Sequence, residues 1–535
     1  MKVVLVFPPL WDLNILPMLG VPVIAGCLRH FGHSTLALDL NSEFYNYVST
    51  ESFWKKVTEH YKELANSDNP DKQQYFKSLK SECSNPEQYI EKVKNYMQVF
   101  RTKELFFEAS KLNNALSDVD KITYTAAKLN QVCFEYEETT GFNLFEDFYE
   151  QVFEKIKEFN PDAVGLSVYW EKQLDWSRHF TKFLKKKTDA KIFYGGPEIT
   201  YSKEKILTKE FFETYADYAI YGDGEVSLKK LGDYFNGEIE LNAVPSLVYY
   251  DNDVCITPPP DEGFKEMFSP CYEGFDFNSY FSYPKVISLE TSRGCYWNKC
   301  AFCSCSNGVI KNNKSAQQVI EEIEGFQKQF GINEFSFIDP AVSPKFLDDF
   351  SKLVIDKGLK IKYSAFTRLE KAFTGELLEQ LSKSGLKFCL WGLESGSQRI
   401  LDLYNKGTSI ENNKRVLKDA HKAGIFNFVS VIAGFPKETE DDIAKTLEFL
   451  NDNIENIDII AANNFLLLKG APIEKEPEKF GLTSNDFEFN GSMGLYIPEN
   501  ESIFDAAFDK ISKLNQDKIK NLPMHVNCMA SYVLR

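Results

Sequence analysis

The sequence predicts an α/β protein built as two sheets in series: a doubly wound parallel sheet, then a partial (β/α)6 barrel. Three observations predict it. Short apolar runs at 3–7, 163–168 and 191–194 alternate with helical stretches, the pattern of strand–helix–strand units. Glycine-rich turns follow successive strands of the first half, where doubly wound sheets bind ligands. From Val286 onward, six further strand-like runs recur with helices between them.

Taken in order, residues 3–7 read as a buried strand that Pro8-Pro9 ends, 20–31 as a helix and 36–40 as the next strand. Residues 46–150 are rich in Lys, Glu, Asn, Gln and aromatics, with helical spacing at Tyr89, Val93, Met97 and Phe100. They read as a helical insertion, either a solvated cap or a substrate-recruiting element. The sheet resumes with a helix at 148–159 and a strand at 163–168 running into Ser167-Val-Tyr169-Trp170. A helix at 174–186 follows. A strand at 191–194 enters Gly195-Gly196-Pro197-Glu198, and one at 218–221 enters Gly222-Asp-Gly224-Glu225. If these strands are parallel, the turns and Phe7-Pro8-Pro9 converge on one edge.

The expected domains are 1–250, a linker at 251–284 marked by Pro258-Pro-Pro260, a barrel at 285–475 and a small, mainly helical region at 476–535. The barrel strands are expected at 286–289, 335–338, 360–365, 388–390, 428–432 and 457–461. His525 and Cys528, near the end, form no recognisable site.

Bulk properties narrow the function. A net charge of −17 opposes binding to a phosphate backbone, so no nucleic-acid partner is expected. No apolar run approaches the roughly 18 residues of a membrane span. The N-terminus lacks a signal-peptide cleavage pattern, so a cytoplasmic protein is expected. Eleven cysteines in such a chain suggest free thiols and metal ligands more than disulfides.

Four of them crowd into residues 295–305, in Thr291-Ser-Arg-Gly-Cys295-Tyr-Trp-Asn-Lys-Cys300-Ala-Phe302-Cys303-Ser-Cys305. Two readings stand on the residues alone. Cys295, Cys300 and Cys303 can bind three irons of a [4Fe–4S] cluster and leave the fourth open to a substrate or cofactor. With Cys305 as a fourth ligand, the loop could instead hold structural zinc.

The loop resembles that of the radical S-adenosylmethionine (radical SAM) superfamily, with an aromatic residue, Phe302, before its last cysteine. The common family spacing is C-x3-C-x2-C; here Tyr296-Trp-Asn-Lys299 carries one extra residue. Leu390-Trp-Gly392-Leu-Glu394-Ser395 is similar to the family's SAM-binding segment. Lys406-Gly407-Thr408 and Ala433-Gly434-Phe435-Pro436-Lys-Glu438-Thr439 resemble two further segments in order. The resemblance implies that Glu394 accepts from the SAM amino group, that Gly392 lets the backbone approach the cofactor and that Phe302 lies near the adenine. It also implies that Ser395, Lys406 and Phe435 contribute to that site. Asp339, at the end of the second barrel strand, is a catalytic candidate beside the cysteines and Glu394; its plain alternative is a helix cap. Arg368 divides between a site role and a surface salt bridge.

The first half resembles the flavodoxin-like cobalamin-binding domain found ahead of many radical SAM cores. The resemblance rests on Pro8 and Pro9, Ser167 and Tyr169, Gly195, Gly196, Pro197 and Glu198, and Gly222, Gly224 and Glu225. The D-x-H-x-x-G of other cobalamin proteins is missing, and the only histidine across 150–225 is His179, in a predicted helix. Trp11, Tyr169 and Trp170 are candidates to wall the corrin. Together the resemblances imply a class B methyltransferase-like enzyme: a 5′-deoxyadenosyl radical abstracts hydrogen from an unactivated carbon, and methylcobalamin delivers a methyl group. The expected partners are a peptide or small-molecule substrate and an electron donor such as flavodoxin or ferredoxin. The alternative is a radical SAM enzyme that catalyses ring formation or rearrangement without methyl transfer, or one with a vestigial cobalamin domain.

Overall fold

The computed structural model describes residues 1–10, 14–141, 143–307, 312–483, 487–490, 493–495, 508–515 and 533–534. The chain divides into two units. One comprises Met1–Phe264 with Phe268–Ser282, the other Lys265–Met267 with Tyr283–Arg535.

The first unit is organised around β1 (Lys2–Phe7), in which five consecutive residues, Val3 to Phe7, are buried. Such a run suits a central parallel strand covered on both faces. It pairs in parallel with β2 (Ser34–Asp39) on one side and β3 (Ala163–Ser167) on the other. Next come β4 (Lys191–Gly195) and β5 (Tyr218–Ile220), also parallel. β6 (Leu247–Asp251) and β7 (Asp253–Ile256) finish the sheet antiparallel, giving the order β2-β1-β3-β4-β5-β6-β7. The first five strands follow the flavodoxin-like order, so the chain changes direction between β1 and β3, where such sheets open a crevice.

The helical insertion lies between β2 and β3. Its longest member, Ala109–Thr140, stops at Gly141, which takes a left-handed φ of 63°. Asn69 caps the helix Pro70–Glu82, with proline at its first turn.

Residues 251–284, expected as a linker, are mostly part of this unit. The Asp-Asn-Asp turn, with Asn252 at a φ of 59°, folds β7 back on β6 as an edge strand. Residues 268–282 then form a strap. Cys271 N donates to Pro22 O at 2.8 Å, Phe281 N to Asn14 O at 2.6 Å and Tyr280 Oη to the buried Asp39 Oδ2 at 2.5 Å. The strap crosses the helix Gly20–His30 where a Cβ on Gly26 would lie 1.9 Å from Ser269 O.

In the second unit β8 (Val286–Leu289) is followed by two short strands, β9 (Ser292–Arg293) and β10 (Asn312–Asn313). Then come β11 (Glu334–Phe337), β12 (Lys362–Arg368), β13 (Leu386–Glu394), β14 (Phe426–Ala433) and β15 (Ile459–Asn464). β8 and β11–β15 make one parallel sheet in chain order, β8-β11-β12-β13-β14-β15. Helices connect successive strands after β10, and β8 does not pair with β15 among the described residues, so the barrel is partial. The described part of 476–535 holds a helix at 508–515 and also β17 (Glu488–Asn490) and β18 (Met493–Leu495), which pair with β16 (Leu467–Leu468). The mainly helical expectation thus missed a small antiparallel sheet.

Gly26→Val tests the strap. Its side chain would collide with backbone rather than a yielding side chain, so a loss of about 1–3 kcal/mol in urea unfolding is expected.

Candidate active site

The cysteine loop leaves the C-terminal end of β8. β9 pairs antiparallel with β10, closing the base of the loop. Asp339 fixes that base. Its carboxylate, 1% exposed, accepts from Thr291 N at 3.0 Å, Thr291 Oγ1 at 2.7 Å, Ser292 N at 2.6 Å and Ser292 Oγ at 3.0 Å. Burial holds its pKa above the ordinary carboxylate value, and these donors offset only part of that rise. The helix Pro344–Lys357 is capped by Ser343, not by Asp339. Asp339 therefore positions the loop through Thr291 and Ser292.

The tip of the loop docks on residues 404–406. Ala301 N donates to Tyr404 O at 2.8 Å, and Trp297 Nε1 to Asn405 O at 2.8 Å. Arg368, the last residue of β12, is 3% exposed, which removes the surface-salt-bridge reading. Its Nη1 lies 3.8 Å from Cys300 Sγ, its Nη2 donates to Lys406 O, and its Nε reaches Glu370 Oε1 at 2.8 Å. Cys300 is buried, which raises its pKa; Lys406 and Arg368 act in the opposite direction. A hydrogen bond with Cys305, followed by burial, raises the pKa of Cys303.

β13 carries the next group. Its register with β14 shifts between Gly392 and Glu394, and Glu394 takes a φ of 63°. A non-glycine residue held in that region is strained, and such strain concentrates at functional sites. The buried Glu394 Oε1 meets the buried Lys406 Nζ at 2.5 Å. Gly392 makes the room, since a Cβ there would lie 2.4 Å from Glu394 Oε1 and 2.8 Å from Lys406 Nζ. Lys406 Nζ is 5.9 Å from the centre of the Phe302 ring. Phe302, Tyr404 and Phe435 follow edge to face, with centroids 5.0 and 4.6 Å apart. Ser395 is turned inward: its Oγ meets Thr446 Oγ1 at 3.1 Å and accepts from Ser397 N at 3.1 Å. Glu438 accepts from Gly434 N at 2.7 Å and Phe435 N at 3.3 Å, and burial pushes its pKa up to about 7.

In the first unit, the turns gather at the C-terminal edge of the sheet. Gln173 ties two of them, donating to Pro8 O at 2.7 Å and accepting from Tyr169 N at 2.8 Å. Pro9 follows Pro8 at the end of β1. Val168 N donates to Gly195 O at 2.8 Å and Glu198 N to Val168 O at 3.1 Å, lacing Ser167 and Pro197 into the same edge. Gly196, at a φ of 99°, could carry no side chain: its Cβ would lie 2.4 Å from Val168 O. Gly222 N donates to Thr200 Oγ1 at 2.9 Å, and Gly224 and Glu225 open the helix Gly224–Phe235. His179 stacks on Phe134 with centroids 3.5 Å apart, and burial lowers its pKa to about 4. It is a neutral side chain packed between helices. Trp11, His525 and Cys528 lie outside the described residues.

A family model described as the Radical SAM superfamily matches residues 289–450, and one described as a B12 binding domain matches 123–231. The chain carries a radical SAM domain and a B12-binding domain. It is 29% identical over 304 residues to an uncharacterized methyltransferase of Pyrococcus horikoshii, covering 55% of this chain and 65% of that one. It is 25% identical over 315 residues to the anaerobic magnesium-protoporphyrin IX monomethyl ester cyclase of Cereibacter sphaeroides, covering 56% and 50%. The alignments thus span half to just under two thirds of these relatives. Among solved structures, the cobalamin-dependent radical SAM enzyme OxsB, with aqua-cobalamin and SAM bound, shares the fold. Its TM-score is 0.61 at 17% identity, over 95% of this chain and 66% of that one.

A radical SAM domain implies a [4Fe–4S] cluster and SAM, and a B12-binding domain implies cobalamin. The donor chemistry fits the first two. Three thiols share one loop beside two cations, and Glu394 with Lys406 offers an acceptor and a donor to an amino-acid zwitterion. No three Cys, His, Asp or Glu side chains are gathered around a single-ion site among the described residues. A cubane takes its thiolates at separate irons, so its ligands need not converge on one point. At the edge of the first sheet, nothing lies within 4 Å of a Cβ built on Gly222, which leaves room for a ligand beside that turn.

Sequence reasoning gave no role to Trp297, Glu370 or Glu438. Trp297 was part of the extra-residue loop, and Glu438 sat unweighted in the segment that begins at Gly434. Glu438 also gives a pH test. The folded chain keeps its proton up to about pH 7, against 4.5 for an ordinary glutamate. Folded protein binds the extra proton between those values, so stability falls as pH rises through the window. Glu438→Gln is expected to flatten that fall, read from urea midpoints at about pH 4.5 and about pH 7.5.

Proposed function

We propose that the chain is a cobalamin-dependent radical SAM enzyme that methylates an unactivated carbon of a peptide or natural-product substrate. The observation that carries this is the buried Glu394–Lys406 pair, set on a strained bulge and linked through Arg368 to the cysteine loop. When bound, the cluster with SAM supplies hydrogen abstraction and the corrinoid supplies the methyl group.

The residues divide the remaining work. Cys295, Cys300 and Cys303 hold the cluster. Glu394 accepts from the SAM amino group and Lys406 donates to its carboxylate, each exchanging part of their mutual ion pair for the cofactor. Phe302 and Phe435 belong to the apolar side of that site. Asp339 holds the loop base in register. In the first unit, the turns at Pro8, Pro9, Ser167, Tyr169, Gly195–Glu198, Gly222 and Gly224 receive the corrinoid, with Glu225 beside them. An external reductant such as flavodoxin or ferredoxin supplies electrons. No helix among the described residues is long and apolar enough to cross a membrane.

The helical insertion supports a substrate of some size. With residues 39–43 and 274–281 it lines an open cavity of about 800 Å³ that mixes Phe53, Phe100 and Tyr47 with Lys56, Arg101 and Asp147. A second reading, ring formation without methyl transfer, is favoured by the cyclase of Cereibacter sphaeroides among the relatives.

Two variants test the proposal. Cys300→Ala is expected to melt as the wild type does while losing all SAM cleavage; a structural zinc module would lose its fold instead. Gly196→Val is expected to keep SAM cleavage but lose methyl transfer, followed with isotopically labelled SAM. Methyl transfer by a cobalt-free Gly196→Val enzyme would contradict the proposal.

A further inference from the structure

We infer that Arg368 is a positioning residue that raises the reduction potential of the cluster through Cys300, and that Trp297 holds it there. The inference rests on the reading of Cys300 as a cluster ligand.

The geometry uses most of the guanidinium. Its three nitrogens point to three different groups: Nε to Glu370 Oε1 at 2.8 Å, Nη1 to Cys300 Sγ at 3.8 Å and Nη2 to Lys406 O. Its carbon lies 4.2 Å from the centre of the Trp297 ring. A planar fork can meet three directions and a ring face together, which a lysine ammonium cannot. Tyr296 Oη donates to the same Glu370 oxygen at 2.8 Å, which orients the carboxylate that balances Arg368. The other cation acting on Cys300, Lys406, already faces Glu394.

Trp297 belongs to the four-residue stretch between Cys295 and Cys300, one residue longer than the common family spacing. Its indole sits where Gly407 has no side chain. A Cβ there would lie 2.1 Å from the ring, and Gly407 holds a φ of 70°. With Nε1 bonded to Asn405 O, the ring is fixed over the guanidinium. The longer loop therefore places an aromatic lid on a charge whose Nη1 lies 3.8 Å from the Cys300 sulfur.

The physical consequence follows from charge. One electron from the external reductant makes the cluster more negative by one charge. A buried cation with an N–H aimed at a ligand sulfur stabilises that reduced state over the oxidised one. Charge, hydrogen bonds to sulfur and solvent exposure set cluster potentials, and limited water around the pair strengthens the effect.

The test uses the full chain, purified without oxygen, with iron per chain, thermal melting and a midpoint potential from spectroscopically monitored redox titration. Arg368→Gln is expected to keep its iron and shift the midpoint to a more negative potential. Arg368→Lys, which keeps the charge, is expected to recover part of the shift. Trp297→Ala is expected to move the midpoint in the same direction as Arg368→Gln, and it decides the matter if Arg368→Gln does not retain iron. An unchanged midpoint in an iron-loaded Arg368→Gln or Trp297→Ala protein overturns the inference. A wild-type protein that binds no cluster overturns the functional reading beneath it instead.

Discussion

The mouth of the barrel depends on one buried ion pair, Glu394 with Lys406. Their side chains are 10% and 5% exposed, and their atoms meet at 2.5 Å. Removing one member of such a pair leaves an uncompensated charge and costs roughly 3–5 kcal/mol, whereas an apolar replacement of both is often no worse than the pair. Stability alone therefore gives little reason for it. The fold also accepts a bulge, a left-handed glutamate and a glycine at 392 to accommodate it. Those features make sense if the two charges meet a zwitterionic ligand.

The same few residues connect the pair to the cysteines. Lys406 O receives Arg368, Asn405 O receives Trp297 and Tyr404 O receives Ala301. A short segment after the helix Gln398–Leu403 thus presents three successive carbonyls to the loop and its neighbour. Asp339 does the equivalent work at the other end by gathering Thr291 and Ser292. The loop is held at its base and its tip, and its thiols lie between.

Much of the architecture was legible because its signals are strong. The continuous apolar run of β1 and the six regularly spaced barrel strands follow from burial on both faces. β7 was missed because a four-residue edge strand with no buried residue leaves almost no hydrophobic pattern. The strap at 268–282 was missed because its hold on Pro22, Asn14 and Asp39 is long-range hydrogen bonding, which composition does not record. At the site, cysteine spacing and the segment at 390–395 were readable. The inward turn of Ser395, the work of Asp339 on the loop base and the burial of Arg368 were not, since each depends on residues more than forty positions away.

The most direct test is the count of iron, sulfide and cobalt per chain, on protein made with cobalamin available and purified without oxygen. About four irons and four sulfides with one tightly held cobalt are the result the account predicts. Iron without cobalt would contradict the methyl-transfer account while leaving a radical SAM protein. Zinc in place of iron would contradict the reading of the cysteine loop itself.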